Sequence, residues 1–480
     1  MTRNTIAQIV GYAAQMVSRF VFLIFIGRLA GVENVGDFSF VITYNLAFTF
    51  LTDLGLGWLL TREVARYKDE VARYVGNAFV VSLLMSGVSL VAMGLLINLL
   101  GYSQHLVRAV YVGSLALVLE TFSNLLWGAF RAHERMELEM VSLIAQEGTF
   151  LLGGTVALLL DVPFIWVFVA YLASRGVGLV TTWIIYRRAI GPIHWCFEWP
   201  FCRQQIAKAL PFSMNMALSM VYVRIDVLML SYWHGSADVG YYEAATNLAL
   251  RLNILARVFI TSMAPMMSQA YLESTSEVRR FARAAVRYLA LLSFPLTVGV
   301  GMLAVPIIDL IYGLEEFAPS VLILQILASM TVLRFLDTIL STTLTTVDRQ
   351  GWRTACVAIA AVVNIGLNLL LLPQYTYVGA SIATILTEMA FFVALNLFLR
   401  RCMPGVIQLG DFLRPLLAAL VMAIPLWLLR DWSIWILAPL GLAVYAGVLF
   451  ALRTFSAQER QTMRRILATA GALSVRWWRR

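Results

Sequence analysis

The stretch PFSMNMALSMVYVRIDVLMLSYWHGSADVGYYEAATNLALRLNILAR, residues Pro211–Arg257, decides the fold. It contains two apolar runs joined by a short turn at 234–239, and each run is long enough to predict a membrane-spanning helix. Five ionisable residues lie inside these runs: Arg224, Asp226, Glu243, Arg251 and Arg257. Charges are costly in hydrocarbon, so these positions indicate either an internal pathway or buried ion pairs.

The composition of the whole chain predicts a polytopic, all-α membrane protein. Of its 480 residues, 60% are hydrophobic and 13% are charged, and the mean hydropathy is +0.80. A soluble domain carries about 25% charged residues. Apolar runs such as 80–100 are unbroken, whereas a membrane β-barrel would show short alternating segments. The net charge of +9 lies mostly in short loops and therefore does not indicate nucleic acid as a partner.

Fourteen apolar segments predict fourteen transmembrane helices. Their predicted spans are 6–30, 36–60, 75–100, 106–130, 141–160, 163–186, 210–233, 238–265, 286–312, 318–345, 354–373, 378–399, 413–430 and 433–453. Lys and Arg in short loops set the orientation. With the amino terminus inside, 27 of the 36 Lys and Arg residues fall in segments predicted to be cytoplasmic and three fall on the opposite side. Both termini are therefore predicted to be cytoplasmic.

The chain also repeats itself. GVENVGDF at 31–38 and GSADVGYY at 235–242 lie in equivalent turns, 204 residues or about six helices apart. Because six is even, both copies run in the same direction, which predicts parallel repeats related by an axis along the membrane normal. We therefore expect pseudo-symmetric six-helix bundles at 1–208 and 209–400, a terminal helix pair at 401–453, and a basic cytoplasmic tail at 454–480.

Polar residues at helical spacing mark candidate cavity-facing stripes, with buried structural pairs as the alternative. The stripes that carry a charge are those with Arg19, Asp53, Asp226, Arg251, Arg334 and Glu388. Arg224 is two residues from Asp226 and so lies on nearly the opposite face of its helix. It therefore needs a partner on another helix or a position facing the cavity.

Nothing in the sequence predicts catalysis, a metal site or a resident cofactor. The four His residues lie in or near loops without ligand spacing, and the four Cys residues have no metal or redox spacing. There is no P-loop, so ATP hydrolysis by this chain is not expected.

Five stretches together resemble one family. They are GRLAGVENVGDFSF (27–40), LTDLGLGWLLTREVARY (51–67), RIDVLMLSYWHGSADVGYYEAA (224–245), IIDLIYGLEEFAPS (307–320) and NIGLNLLLLPQYTYVGASIATILTE (364–388). The chain resembles the polysaccharide-transporter branch, the O-antigen flippase-like proteins, of the multidrug/oligosaccharidyl-lipid/polysaccharide flippase superfamily. The resemblance implies a central cavity, alternating access, and a cargo of isoprenoid pyrophosphate-linked oligosaccharide moved to the outer leaflet. It further implies the inner (cytoplasmic) membrane, with membrane lipids and possible polysaccharide polymerase and chain-length proteins as partners.

The candidate site residues follow from the stripes and from this resemblance. A pyrophosphate in hydrocarbon needs charge-assisted donors, for which arginine is well shaped. The candidate substrate-binding residues are Arg19, Arg224, Arg251, Arg257 and Arg334. The resemblance implies a cation site in the seventh and the eleventh to twelfth helices, and the candidates for Na+ or H+ coupling are Asp53, Asp226, Asn364, Asn368 and Glu388.

Three alternative functions remain open at this point. A multidrug and toxin exporter of the same superfamily usually has 12 helices and handles cationic drugs, so the last two predicted helices count against it. A lipid II flippase belongs to the same group. A membrane glycan polymerase is disfavoured, because it needs a large outer loop and every predicted outer loop is a few residues long.

Overall fold

The computed structural model describes residues 2–193 and 195–454, which form α-helices with no strand in those ranges. All but the first residue of the predicted tail lies outside the described residues. The helices are α1 (Thr2–Leu29), α2 (Gly31–Asp53), α3 (Leu56–Arg66), α4 (Val71–Leu99), α5 (Gln104–Ala132), α6 (Met136–Leu159), α7 (Ile165–Ala189), α8 (Trp199–His234), α9 (Ser236–Arg251), α10 (Asn253–Glu273), α11 (Thr275–Met302), α12 (Ala304–Ile311), α13 (Leu314–Ala328), α14 (Thr331–Thr346), α15 (Gln350–Cys402), α16 (Gly410–Leu428) and α17 (Ile434–Ala451).

Twelve helical stretches in the described part of the chain are long and apolar enough to cross a membrane. The pair α13 and α14, bent by 45° at a short break, would add a thirteenth. Every predicted apolar segment is helical over nearly its whole length, so the prediction of an all-α, multi-pass membrane protein is confirmed. The predicted number of fourteen is not reached in this count, because α15 covers the segments 354–373 and 378–399 in one 53-residue stretch.

The second predicted segment, 36–60, is two helices rather than one. α2 ends at Asp53, and Leu54 and Gly55 follow with φ values of 48° and 75°. This left-handed backbone is the conformation that glycine adopts at little cost. A Cβ on Gly55 would lie 2.8 Å from the carbonyl oxygen of Ala209 in α8. The glycine therefore permits both the break in the helix and the close approach of α8.

The seventh predicted segment, 210–233, begins earlier in the structure, because hydropathy identifies only the apolar part of a helix. α8 starts at Trp199 with Pro200 in its first turn, a position that needs no backbone N–H donor. Just before it, Glu198 accepts hydrogen bonds of 2.6 and 2.9 Å from Arg73 of α4. The Arg73 hydrogen bonds hold the pKa of the Glu198 carboxyl below its usual value. This ion pair fixes the start of α8 against α4.

The described chain forms two compact units. Within the described residues, the first unit comprises 2–247, 308–323 and 354–391, and the second comprises 248–307, 324–353 and 392–454. α8 and the first three quarters of α9 therefore belong to the first unit, together with the middle of α15. The division into six-helix bundles at 1–208 and 209–400 stays a prediction.

Aromatic rings fill the middle of the first unit. The Phe22 ring centroid of α1 lies 5.7 Å from that of Phe38 in α2 and 4.4 Å from that of Phe150 in α6. Phe168 of α7 extends the cluster, 6.0 Å from Phe38. All four rings are buried. Tilted and edge-on contacts of this kind add to the stability gained from burial alone.

A reciprocal contact of two glycines joins the repeated motifs within the first unit. A Cβ on Gly36 of α2 would lie 1.8 Å from the carbonyl oxygen of Ser236 in α9, and one on Gly240 of α9 would lie 2.1 Å from the carbonyl oxygen of Val32 in α2. With the 204-residue offset, Val32 is equivalent to Ser236 and Gly36 to Gly240. Each copy therefore makes the same contact to the other, which is what a two-fold axis between the copies requires.

The second unit contains α10, α11, α14, α16 and α17, which pack on one another. Met422 and Leu426 of α16 and Leu437 of α17 lie in its buried core. The Tyr445 hydroxyl of α17 donates a 2.8 Å hydrogen bond to the Leu291 carbonyl oxygen of α11. The last two predicted segments, 413–430 and 433–453, are thus confirmed as helices that pack on α11.

Candidate functional site

Four charged side chains meet inside the first unit. We call Arg19, Glu120, Glu147 and Arg175 the amino-terminal quartet; they come from α1, α5, α6 and α7. Arg175 lies 3.1 Å from Glu147 and 3.4 Å from Glu120, measured from nitrogen to carboxylate oxygen. Arg19 lies 3.6 Å from Glu120 and 3.7 Å from Glu147. The quartet is electrically balanced, with two guanidinium groups and two carboxylates.

The members of the quartet differ in exposure. The Arg175 side chain is 0% exposed and lies over the Tyr171 ring, with 4.3 Å between the guanidinium carbon and the ring centroid. The Glu147 side chain is 2% exposed, whereas the Arg19 side chain is 40% exposed. Arg19 is therefore the member whose charge can reach a ligand, and its longer ion-pair distances leave it less tightly held.

A second polar cluster is built on the α8–α9 hairpin. Arg224 Nη1 of α8 donates a 2.7 Å hydrogen bond to Glu243 Oε1 of α9. Asn247, one turn further along α9, donates a 2.9 Å hydrogen bond to the other carboxylate oxygen of Glu243. The Arg224 side chain is 24% exposed and that of Glu243 is 3% exposed. Of the two alternatives predicted for Arg224, a partner on another helix or a position facing the cavity, the structure shows the first.

Asp226 lies next to this pair but bonds to neutral groups. It accepts a hydrogen bond from the Tyr242 hydroxyl of α9 and a 2.9 Å bond from the Val227 amide. The Tyr242 oxygen lies 2.9 Å from the Thr384 hydroxyl of α15. A continuous hydrogen-bonded chain therefore runs from α8 through α9 to α15. Asp226, Tyr242 and Thr384 are all buried.

Further candidate coupling residues also lie on α15, in the part that belongs to the first unit. Glu388 Oε1 accepts a 2.8 Å hydrogen bond from the Tyr222 hydroxyl of α8. Asn364 donates a 3.3 Å hydrogen bond to the Thr387 hydroxyl across the break in α15, and Asn368 donates a 3.0 Å hydrogen bond to Asn364 Oδ1. The structure thus links Asp226 and Glu388 to the same two helices, α8 and α15. Oxygen-rich sets of this kind suit hard monovalent cations or protons.

Asp53 occupies a different place from the other candidate coupling residues. It ends α2, and its Oδ1 accepts a 3.2 Å hydrogen bond from the Gly57 amide in the first turn of α3. A carboxylate at this position satisfies a backbone donor that the helix itself leaves free. The contact gives Asp53 a local structural role, and its predicted coupling role stays a prediction.

The remaining candidate arginines lie in the second unit. Arg251 ends α9, Arg257 lies in α10 and Arg334 lies in α14. Arg251 and Arg334 are half-buried, and Arg257 is exposed. The structure therefore brings Arg224 and Asp226 together on one hairpin and puts Arg19 in a separate cluster of the same unit. Among the described residues no group of three His, Cys, Asp or Glu side chains could hold a metal ion.

Sequence reasoning did not select Tyr242, Thr384 or Arg175 as site residues. A signal for Tyr242 was available: Asp226 and Tyr242 are each eight residues from His234, at the α8–α9 turn. Two antiparallel helices bring residues at equal distance from their turn to the same depth. Arg175 gave no such signal, because its acidic partners lie on two other helices.

Comparison with known proteins defines the family. A family model described as polysaccharide biosynthesis protein matches residues 1–271, more than half of the chain. The chain belongs to this family. A second family model, MatE, matches residues 211–370. Together these matches confirm the predicted membership of the chain in the flippase superfamily.

Curated relatives of this chain are named as flippases or as an O-antigen transporter. An O-antigen transporter of Shigella dysenteriae is 21% identical over 350 residues, which are 71% of this chain and 85% of that protein. The low-salt glycan biosynthesis flippase of Haloferax volcanii is 23% identical over 167 residues. That alignment spans only 35% of either protein, so the chain matches about a third of the archaeal relative.

Solved structures support the fold. The lipid II flippase MurJ in an inward closed conformation superposes with a TM-score of 0.76 at 16% identity, over 93% of this chain and 99% of that one. An inward-facing multidrug resistance transporter of the MATE family superposes with a TM-score of 0.67 at 15% identity, over 83% of this chain and 98% of that one. The chain therefore has a MurJ- and MATE-like helical fold.

Proposed function

We propose that this protein flips an isoprenoid (pyro)phosphate-linked oligosaccharide from the cytoplasmic to the outer leaflet of the inner (cytoplasmic) membrane, for polysaccharide export. The family match over 1–271 and the relatives named as O-antigen transporter and glycan flippase support this assignment. The proposal includes membrane lipids as partners, and a polysaccharide polymerase and chain-length proteins as partners that would use the exported glycan. No catalytic step is part of it.

One observation carries the choice of an anionic cargo. In each charged cluster the most exposed charged side chain is an arginine. Arg19 is 40% exposed against 2% for Glu147 and 21% for Glu120, and Arg224 is 24% exposed against 3% for Glu243. A charge at membrane depth is stable only where water or a partner meets it. Guanidinium groups that are partly accessible suit a phosphate, and a site for cationic drugs would expose the carboxylates instead.

The proposed topology has fourteen spans with both termini in the cytoplasm. The 53-residue α15 supports the two additional spans, together with the bent pair α13 and α14. At 1.5 Å per residue an unbroken α15 would extend about 80 Å, more than twice the hydrocarbon thickness of a membrane. It breaks instead at Thr376, whose φ and ψ are 49° and −134°. The distribution of Lys and Arg supports the orientation.

The proposed cycle is alternating access between two bundles, 1–208 and 209–400, with a cargo site between them. The reciprocal crossing of Gly36 and Gly240 would close the outer side and must separate for release. Arg19 and Arg224 would hold the phosphate, and Arg251, Arg257 and Arg334 stay further candidates for this role. Asp226, Asn364, Asn368 and Glu388 would take up Na+ or H+, with Asp53 as a further candidate, and so bias the equilibrium between the two states.

Arg19→Gln and Arg224→Gln test the proposal in cells whose only copy of the gene carries the change. We expect surface glycan to fall about tenfold or more, because a charge-assisted hydrogen bond to the phosphate is lost. The measurement is surface glycan, together with accumulated lipid-linked precursor and the amount of protein in the membrane. Arg430→Gln is the matched control, since Arg430 is 72% exposed in the turn between α16 and α17.

The same cells separate the alternatives. If both arginine variants export glycan at the wild-type level, the phosphate-binding role is wrong. Efflux of a cationic dye that depends on this protein, without any effect on glycan export, would favour the multidrug exporter. Accumulation of lipid II as the only precursor would favour the lipid II flippase.

A further inference from the structure

Arg175 is the most deeply buried charge of the first unit and has no place in the cycle described so far. Its side chain is 0% exposed, and it contacts both acids of the amino-terminal quartet. The Tyr171 hydroxyl donates a 3.5 Å hydrogen bond to Glu120, and the Tyr171 ring covers the Arg175 guanidinium. Arg175 therefore cannot meet a ligand itself, and any effect it has on transport must pass through Glu120 and Glu147.

The distances divide the quartet into a fixed and a looser part. Arg175 lies closer to each carboxylate than Arg19 does. The nitrogen–oxygen distances to Glu147 are 3.1 Å from Arg175 and 3.7 Å from Arg19, and those to Glu120 are 3.4 Å and 3.6 Å. Both carboxylates would thus remain paired with Arg175 when the Arg19 side chain moves away from them. Without Arg175 they would depend on Arg19 alone, and a buried carboxylate that loses its partner is strongly destabilising. Arg19 would then be held by the acids.

We propose that Arg175 is a positioning residue that neutralises Glu120 and Glu147 from the buried side and thereby leaves Arg19 free to exchange between these carboxylates and the phosphate of the cargo. The proposal rests on the proposed function, since the ligand role of Arg19 belongs to that function. The quartet is then a balance in which Arg175 and the two acids set how strongly Arg19 is retained.

This balance predicts effects of opposite sign for two neighbouring substitutions. Arg175→Gln removes the fixed cation, so Arg19 is retained more strongly and affinity for an anionic ligand falls. Glu147→Gln removes one of the acids that retain Arg19, so affinity rises. A residue pair with only a structural role would lower binding, or leave it unchanged, in both variants.

The experiment measures binding of radiolabelled farnesyl pyrophosphate to the purified full-length protein, with farnesol as the uncharged control probe. We expect binding about tenfold weaker for Arg175→Gln and severalfold tighter for Glu147→Gln. The double variant Arg175→Gln/Glu147→Gln should bind within about threefold of wild type, because the charge balance is restored. Thermal unfolding of each variant checks that it is folded.

Each outcome decides one point. If Arg19→Gln binds the probe as wild type does, the phosphate-binding role in the proposed function fails. If Arg19→Gln binds weakly but folded Arg175→Gln binds normally, only the positioning role fails. If Arg175→Gln does not fold, Glu147→Gln and the double variant still test the positioning role. The positioning role is wrong if Glu147→Gln does not bind more tightly than wild type, or if the double variant loses binding.

Discussion

The two copies of the repeated hairpin have the same geometry but different chemistry. In α1–α2, Phe22 and Phe38 are in ring contact with centroids 5.7 Å apart. The equivalent positions in α8–α9, 204 residues later, are Asp226 and Tyr242, and these also touch, through a hydrogen bond. The same pair of positions therefore meets in both copies, as an apolar contact in the first and as a polar contact in the second.

The difference indicates which copy can respond to an ion. The Phe22 and Phe38 rings lie in an aromatic core, and no cation or proton changes such a contact. Asp226 is a carboxylate whose hydrogen bonds come from Tyr242 and a backbone amide, both neutral donors. Binding a cation or proton there changes the charge of the site and, through Tyr242, its link to α15. We infer that the second hairpin is the ion-sensitive copy and the first is the rigid copy.

Asp226→Asn should give the largest effect, and it tests directly whether the second hairpin is the ion-sensitive copy. An asparagine can still accept hydrogen bonds at the same position, but it has no charge for an ion to neutralise. We expect transport to fall about a hundredfold, and the remaining transport to lose its dependence on Na+ or pH. The measurement is glycan transport in membrane vesicles at several Na+ concentrations and pH values.

Phe22→Leu is the matched control at the equivalent position of the first copy. It should lower stability by about 1–3 kcal/mol through lost packing and leave the ion dependence unchanged. If Asp226→Asn keeps the wild-type ion dependence, the assignment of the second hairpin as the ion-sensitive copy is wrong.

Gly36→Ala and Gly240→Ala should give the next largest effect, because they test what the two copies share. Either added methyl group would collide with a backbone carbonyl oxygen of the other copy. Overpacking of this kind costs about 1–3 kcal/mol and should open the crossing. We expect labelling of a cysteine introduced at the buried Ser39, by a membrane-impermeant maleimide, to accelerate about tenfold in a background without the native cysteines.

The two-fold relation makes this prediction sharper, since both alanine variants should have similar effects. Gly87→Ala is the control, because a Cβ on Gly87 would have no neighbour within 4 Å. A large effect of one variant and none of the other would contradict the equivalence of the two contacts.

Much of this fold follows from the sequence because hydrocarbon imposes simple rules. Apolar runs identify the helices, and the short matching motifs at 31–38 and 235–242 predicted the repeat that the glycine crossing displays. The need of Arg224 for a partner on another helix followed from its two-residue spacing to Asp226. Each of these signals can be read from the sequence of one hairpin or from a direct comparison of the two hairpins.

Other features depend on contacts between distant parts of the chain. Hydropathy could not reveal that 36–60 breaks at Gly55, since the residues on both sides of the break are apolar. The role of Arg175 depends on Glu120 and Glu147, which reach it only after three helices pack. Long-range pairing of this kind leaves no periodic signal in a single sequence.

Tyr242→Phe should give the smallest effect and makes the second copy resemble the first, where Phe38 occupies the equivalent position. The ring is kept, while Asp226 loses a hydrogen bond from the hydroxyl. A carboxylate with fewer internal donors should bind a cation or proton more readily, so we expect the half-maximal concentration of the coupling ion to fall about threefold to fivefold. Transport at saturating ion should change little. The reverse change, Phe38→Tyr, should leave the half-maximal concentration unaltered, because Phe22 offers its hydroxyl no acceptor. An unchanged or increased half-maximal concentration in Tyr242→Phe would mean that the Asp226–Tyr242 contact is structural, like its aromatic counterpart in the first hairpin.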